Sequence, residues 1–168
     1  MRIAPLGWLC VLASCGTDSV DLTGVYRVDS AVGSDTCETD ETIEFSPFVR
    51  FTEQELFGQP FFAYDGCADE AATECSSISG LLGGFFEPID GGWLGRASFS
   101  SGGGDSTCSL GVTRQTAILT GATLTIESTS HEDEVPGLSA SACSPEEAER
   151  REDEMPCTSH QLVGATKL

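Results

Sequence analysis

The feature that most constrains the fold is a run of short segments in which apolar and polar residues alternate, each closed by turn residues. Leu22, Gly24, Tyr26 and Val28 share one face, and Thr23, Val25, Arg27 and Asp29 the other, which predicts a strand. Ile43 and Phe45 alternate with Thr42 and Glu44 in the next, and Pro47 interrupts before Phe48. Three hairpin signals follow: Phe57-Gly58-Gln59-Pro60 between Phe48–Leu56 and Phe61–Tyr64, Asp90-Gly91-Gly92 between Leu81–Ile89 and Trp93–Ser100, and Thr120-Gly121-Ala122 between Ala117–Leu119 and Thr123–Glu127. The glycine-rich stretch Ser101–Asp105 is a further turn, leading into a strand over Thr107–Val112. The chain's only lysine is Lys167, so this stretch lacks the lysine that a phosphate-binding loop requires.

Ser128–Cys143 is acidic and without periodicity, and is expected to be an irregular connection. Then comes a helix start, with Ser144 as N-cap, Pro145 in the first turn and Glu147 placed to close a capping box. Glu146 with Arg150 and Glu147 with Arg151 are spaced for ion pairs, and only Ala148 and Met155 give this helix an apolar seam. Thr158–Thr166 alternates again, as a closing strand. The expected fold is all-β: an antiparallel meander barrel or sandwich of about eight strands, with one short exposed helix before the last strand.

The first fifteen residues have another character. Arg2 precedes an apolar run from Ile3 to Val11 that is too short to span a bilayer as a helix and suits an export signal. It ends in Leu12-Ala13-Ser14-Cys15, which resembles the lipobox of bacterial lipoproteins. That resemblance implies cleavage before Cys15, lipidation of its thiol, and attachment to a membrane through the lipid anchor. Several acyl chains on one residue anchor stably where one chain does not. Gly16, rather than Asp, follows the cysteine, which by the enterobacterial rule favours the outer membrane. The expected organisation is a signal peptide over 1–14, lipidated Cys15 and spacer over 15–21, and one disulfide-bonded β domain over 22–168.

Without residues 1–14 the chain carries 7 basic and 27 acidic residues, a formal charge of −20. Such a chain is repelled by phosphate backbones and anionic headgroups, so no nucleic-acid partner is expected. Beyond Cys10 and Cys15, six cysteines remain: Cys37, Cys67, Cys75, Cys108, Cys143 and Cys157. An even set behind an export signal points to disulfides. They contain no Cys-x-x-Cys pair, and only His131 and His160 could add imidazole, so no metal site and no cofactor are expected. Six cysteines allow about 15 connectivities. Cys67 with Cys75 brackets a short polar loop and Cys143 with Cys157 brackets the helix, leaving Cys37 with Cys108. The acids of Asp65–Gly80 do not follow a calcium-loop spacing, and His131-Glu132-Asp133-Glu134 reads as a solvated charge run. His160 reads as a strand-end histidine.

The order of barrel, helix and last strand resembles that of lipocalins, and Gly24-Val25-Tyr26 is similar to their opening Gly-x-Trp with tyrosine in place of tryptophan. The resemblance implies a small apolar ligand in the barrel, for which Phe45, Phe51, Phe62, Phe85, Phe86, Trp93 and Phe99 would be the lining. The alternative is a structural or protein-interaction lipoprotein of the envelope, with acidic loops contacting another protein or cations. No nucleophile elbow, Ser-x-x-Lys, zincin or phosphate-loop motif is present, so the chain is not expected to be an enzyme.

Overall fold

A computed structural model describes residues 20–78, 84–103 and 107–168. The expected signal, the lipobox-like stretch with Cys15, and the expected spacer as far as residue 19 lie outside the described residues. So do residues 79–83, within which the expected strand Leu81–Ile89 begins, and residues 104–106 of the glycine-rich turn.

The strands are β1 (Gly24–Ser34), β2 (Glu41–Thr42), β3 (Phe48–Leu56), β4 (Gln59–Cys67), β5 (Cys75–Ser77), β6 (Glu87–Ile89), β7 (Gly92–Gly102), β8 (Cys108–Thr120), β9 (Thr123–Val135) and β10 (Cys157–Lys167), with helix α1 (Pro145–Arg150) ahead of the last. They form one antiparallel sheet of 10 strands, ordered β5-β4-β3-β1-β10-β9-β8-β7-β6, with β2 beside β1. The all-β expectation holds, and the sheet is not closed into a barrel. Its two flanks meet at one bridge, where Phe62 and Phe85 exchange backbone hydrogen bonds of 2.9 and 2.8 Å.

Two of the expected turns carry the glycine conformations that they need: Gly91 has φ 71° after Asp90, and Gly121 has φ 63° after Thr120. The strands run further than their apolar patterns. β1 continues to Ser34 because a register shift between Val28 and Ser30 moves burial from Tyr26 to Ala31, breaking the alternation that would have revealed it. Thr107–Val112 and Ala117–Leu119 are one strand. The expected irregular connection over Ser128–Cys143 is confined to residues 136–143: β9 runs to Val135, held by unbroken pairing from Leu119↔Leu124 to Cys108↔Val135. Cross-strand hydrogen bonding there overrides the low strand preference of Glu132, Asp133 and Glu134.

The β8–β9 hairpin serves two cores on opposite faces. Near its turn, Ala117, Leu124 and Ile126 join a cluster with Tyr26, Phe51, Tyr64, Phe85 and Trp93 inside the curl of the sheet. Near its other end, Cys108, Leu110 and Val112 point the opposite way and are covered by Ala148 and Met155. The change of sides between Val112 and Ala117 follows from period-two geometry, because an odd step in sequence changes face. Ala148 is the buried side chain of the helix, whereas Met155, expected on the same helical face, lies beyond the end of the helix in extended backbone and packs on the same cluster. The Ser144 side chain accepts from Glu147 N–H at 3.3 Å, but the Glu147 carboxylate binds both Arg150 and Arg151, leaving the expected Glu146–Arg150 pair unformed.

Within the inner cluster the rings contact one another. Phe51 lies 5.7, 5.4 and 5.8 Å from Tyr26, Tyr64 and Phe85, centroid to centroid. Burial raises Tyr26 and Tyr64 to pKa values of about 12. The Tyr26 hydroxyl donates to the Leu22 carbonyl at 2.8 Å.

Cys67 and Cys75 are bonded, as their short loop suggested. The other two expected pairings are corrected: Cys108 bonds Cys143 and Cys37 bonds Cys157. The helix keeps Cys143 and Cys157 at its two ends. Each then meets the strand beside it: Cys143 lies against the start of β8, while β10, antiparallel to β1, brings Cys157 past Ser34 toward Cys37.

Candidate functional site

The end of the sheet away from the Phe57 turn carries the most structured polar site. Here β1 finishes with Gly33 and Ser34 opposite Gln161 and His160, and β2 returns along it with Glu41 opposite Gly33. Gly33 is needed for this closeness, since a Cβ there would sit 2.9 Å from the His160 carbonyl oxygen. The connecting loop is fastened by the Cys37–Cys157 disulfide, with Cys37 in the left-handed region at φ 59°.

His160 stands between two carboxylates. Its Nδ1 lies 2.9 Å from Asp40 Oδ1, on the loop, and its Nε2 lies 3.3 Å from Glu127 Oε1, on β9. The hydrogen bond to Asp40 raises the imidazole pKa most, burial opposes it, and Glu127 adds to the rise. His160 thus ties three segments together, and both of its nitrogens donate to carboxylates when the imidazole is protonated. Beside it opens a cleft of about 590 Å³, lined by Ser34, Thr36, Thr39, Thr42 and Ser128 together with Asp35, Glu38 and Glu41. A smaller hollow of about 300 Å³ lies between His160 and the Cys37–Cys157 bridge. This arrangement can accept hydrogen bonds and attract positive charge. Among the described residues, no group of three or more His, Cys, Asp or Glu side chains is placed to hold a metal ion.

The link has a pH signature. Because the folded pKa of His160 is raised, its stabilisation is complete below the unfolded value of about 6.5 and is lost as pH rises through the folded value. The difference in denaturation midpoint between the parent and His160→Asn should therefore be largest near about pH 6 and shrink toward about pH 9. A difference independent of pH over that window excludes the charged link.

Asp65, Asp69 and His131 are used internally. In the Asp65–Gly80 segment, the Asp69 carboxylate accepts from Thr73 and Glu74 N–H at 2.8 and 3.2 Å, and Asp65 pairs with Arg50 at 2.7 Å. His131 Nδ1 lies 3.1 Å from the Met155 carbonyl, joining β9 to the end of the helical segment. Of the seven aromatics expected to line a barrel, Phe51, Phe62, Phe85 and Trp93 are in the inner cluster and Phe45 packs at its margin. Phe86 instead stacks on Phe61, and Phe99 lies outside over Gly111, 46% exposed. Tyr26 and Tyr64 are the rings the apolar reading passed over. Asp40 and Glu127 were also missed, because they stand 120 and 33 residues from His160 and no local pattern connects them.

Comparison with protein-family models, curated proteins and solved structures finds no match.

Proposed function

We propose that this is an exported, lipid-anchored envelope protein, on the outer membrane by the Gly16 rule, that acts as an interaction module through the acidic end of its sheet. The observation that carries this reading is the contrast between its two candidate binding regions. The apolar interior is occupied by rings already in contact, whereas the cleft beside His160 is open, polar and acidic. The partner of matching chemistry is a protein segment rich in lysine and arginine.

Crosslinking in intact cells tests this. The parent should give one discrete adduct that is lost when Asp35→Asn, Glu38→Gln and Glu41→Gln are combined; an adduct indifferent to these substitutions overturns the assignment of the surface. The anchor has its own test, since Cys15→Ser should move the protein from the membrane to the soluble fraction. Retention on the membrane would refute lipidation as the attachment. A small apolar ligand is the lesser reading, because it would have to displace buried side chains such as Phe51 and Phe85. Native mass spectrometry of the extracted protein would reveal such a molecule.

A further inference from the structure

We propose that the β3–β4 hairpin is a membrane-contacting prong, with Phe57 at its tip entering the interfacial layer of a neutral bilayer. The inference rests on the lipid-anchor reading above and adds to it a surface and an orientation.

The tip is unusual in itself. Phe57 and Gly58 both have positive φ, 52° and 79°, as the tightest hairpin turns require. Asparagine and glycine suit such positions, and a bulky ring does not. Phe57 is nonetheless there and is 97% exposed, so the fold derives no burial from it.

The direction of the hairpin supplies the second observation. β1 begins at Gly24 opposite Phe51, and β3 continues through Thr52–Leu56 beyond the start of β1. At roughly 3.3 Å per residue, the six steps from Phe51 put the Phe57 tip about 20 Å past that point. The same end of the sheet carries the entry of the chain, where Trp93 Nε1–H donates to the Val20 carbonyl at 2.6 Å. The β6–β7 and β8–β9 turns lie there too, joined by Leu119 N–H to the Gly91 carbonyl at 3.0 Å, as does Leu168, bonded to Val25 at 3.0 Å. The strand directions place the Cys37–Cys157 and Cys108–Cys143 disulfides and the His160 cleft at the other end.

The tether then limits the geometry. From Cys15 to the docked Val20 there are five residue steps. Fully extended, they reach at most about 18 Å. With the Val20 end held within about 18 Å of the anchor and the tip about 20 Å beyond the start of β1, the tip is within reach of the bilayer. Exposed Glu53 and Glu55 flank it, and the mature charge is −20, so anionic headgroups repel this end and neutral lipid is the matching surface. The acidic cleft consequently faces away from the membrane.

The test uses the full lipidated protein bearing Phe57→Trp in phosphatidylcholine vesicles with brominated acyl chains. Flotation with the vesicles reports on the anchor, and quenching of the introduced indole reports on the tip. Trp93 is 5% exposed, and its emission is removed by subtracting the spectrum of the unsubstituted protein. The expected result is that the protein floats and the introduced indole is blue-shifted and loses most of its intensity to bromine. A protein that floats with a water-exposed, unquenched indole overturns the prong while leaving the anchor in place. A protein that does not float overturns both. An indole that shifts to the blue only when envelope proteins are added, and is not quenched by bromine, assigns the tip to a protein pocket and overturns the lipid assignment.

Discussion

Replacing Cys37 and Cys157 together by serine should destabilise the domain by about 5 kcal/mol, the largest loss among the three disulfides. The bridge spans a sequence separation of 120, against 35 for Cys108–Cys143 and 8 for Cys67–Cys75. In the chain-entropy account, a cross-link stabilises by restricting the unfolded chain, and the restriction grows with the logarithm of the loop. The same relation gives about 4 kcal/mol for the second bridge and about 2.5 kcal/mol for the third. A domain of this size has about 5–15 kcal/mol in total, so the first variant should stand near the edge of folding. Urea denaturation of the three double-serine variants would test the ranking. If the short Cys67–Cys75 bridge proved the most important, loop entropy would not be what these disulfides contribute.

Phe51→Ala should cost about 3–5 kcal/mol. The ring is 1% exposed and contacts Tyr26, Tyr64 and Phe85, so its removal takes the shared member out of three ring pairs. Alanine also leaves a void that the sheet can close only in part, and a dry apolar void of this kind binds benzene-sized molecules. Thermal denaturation should show the loss, and added benzene should recover part of it in Phe51→Ala while leaving the parent unchanged. Stabilisation of the parent by benzene would reveal interior space and favour the apolar-ligand reading.

The legible parts of this fold were those written in adjacent residues. Asp90-Gly91 and Thr120-Gly121 announced hairpins because the turns need particular backbone angles, and Ser144-Pro145 announced the helix because its first N–H groups need a cap. Cys67 and Cys75 were pairable because the loop between them is short. What could not be read depends on neighbours distant in sequence. Glu132 to Val135 are a strand because Cys108 to Gly111 pair with them. Cys157 reaches Cys37 because β10 lies against β1, which alternation within either strand does not encode. His160 was visible as a residue but not as a site: Asp40 and Glu127 come from two further segments, and only the register of β9, β10 and the β1–β2 connection assembles the three.

The position of β10 between β1 and β9 also bears on how the chain folds. The hairpins β3–β4 and β8–β9 can each form locally, but the two halves of the sheet have no shared ladder until residues 157–167 arrive to join them. Contacts this distant in sequence make folding slow, because loop closure must precede the interactions that reward it. For a chain that crosses a membrane unfolded, delay is useful. Under the export reading proposed above, the sheet would be completed only once the eleven-residue β10 had followed the rest across, which would keep the chain threadable during transit.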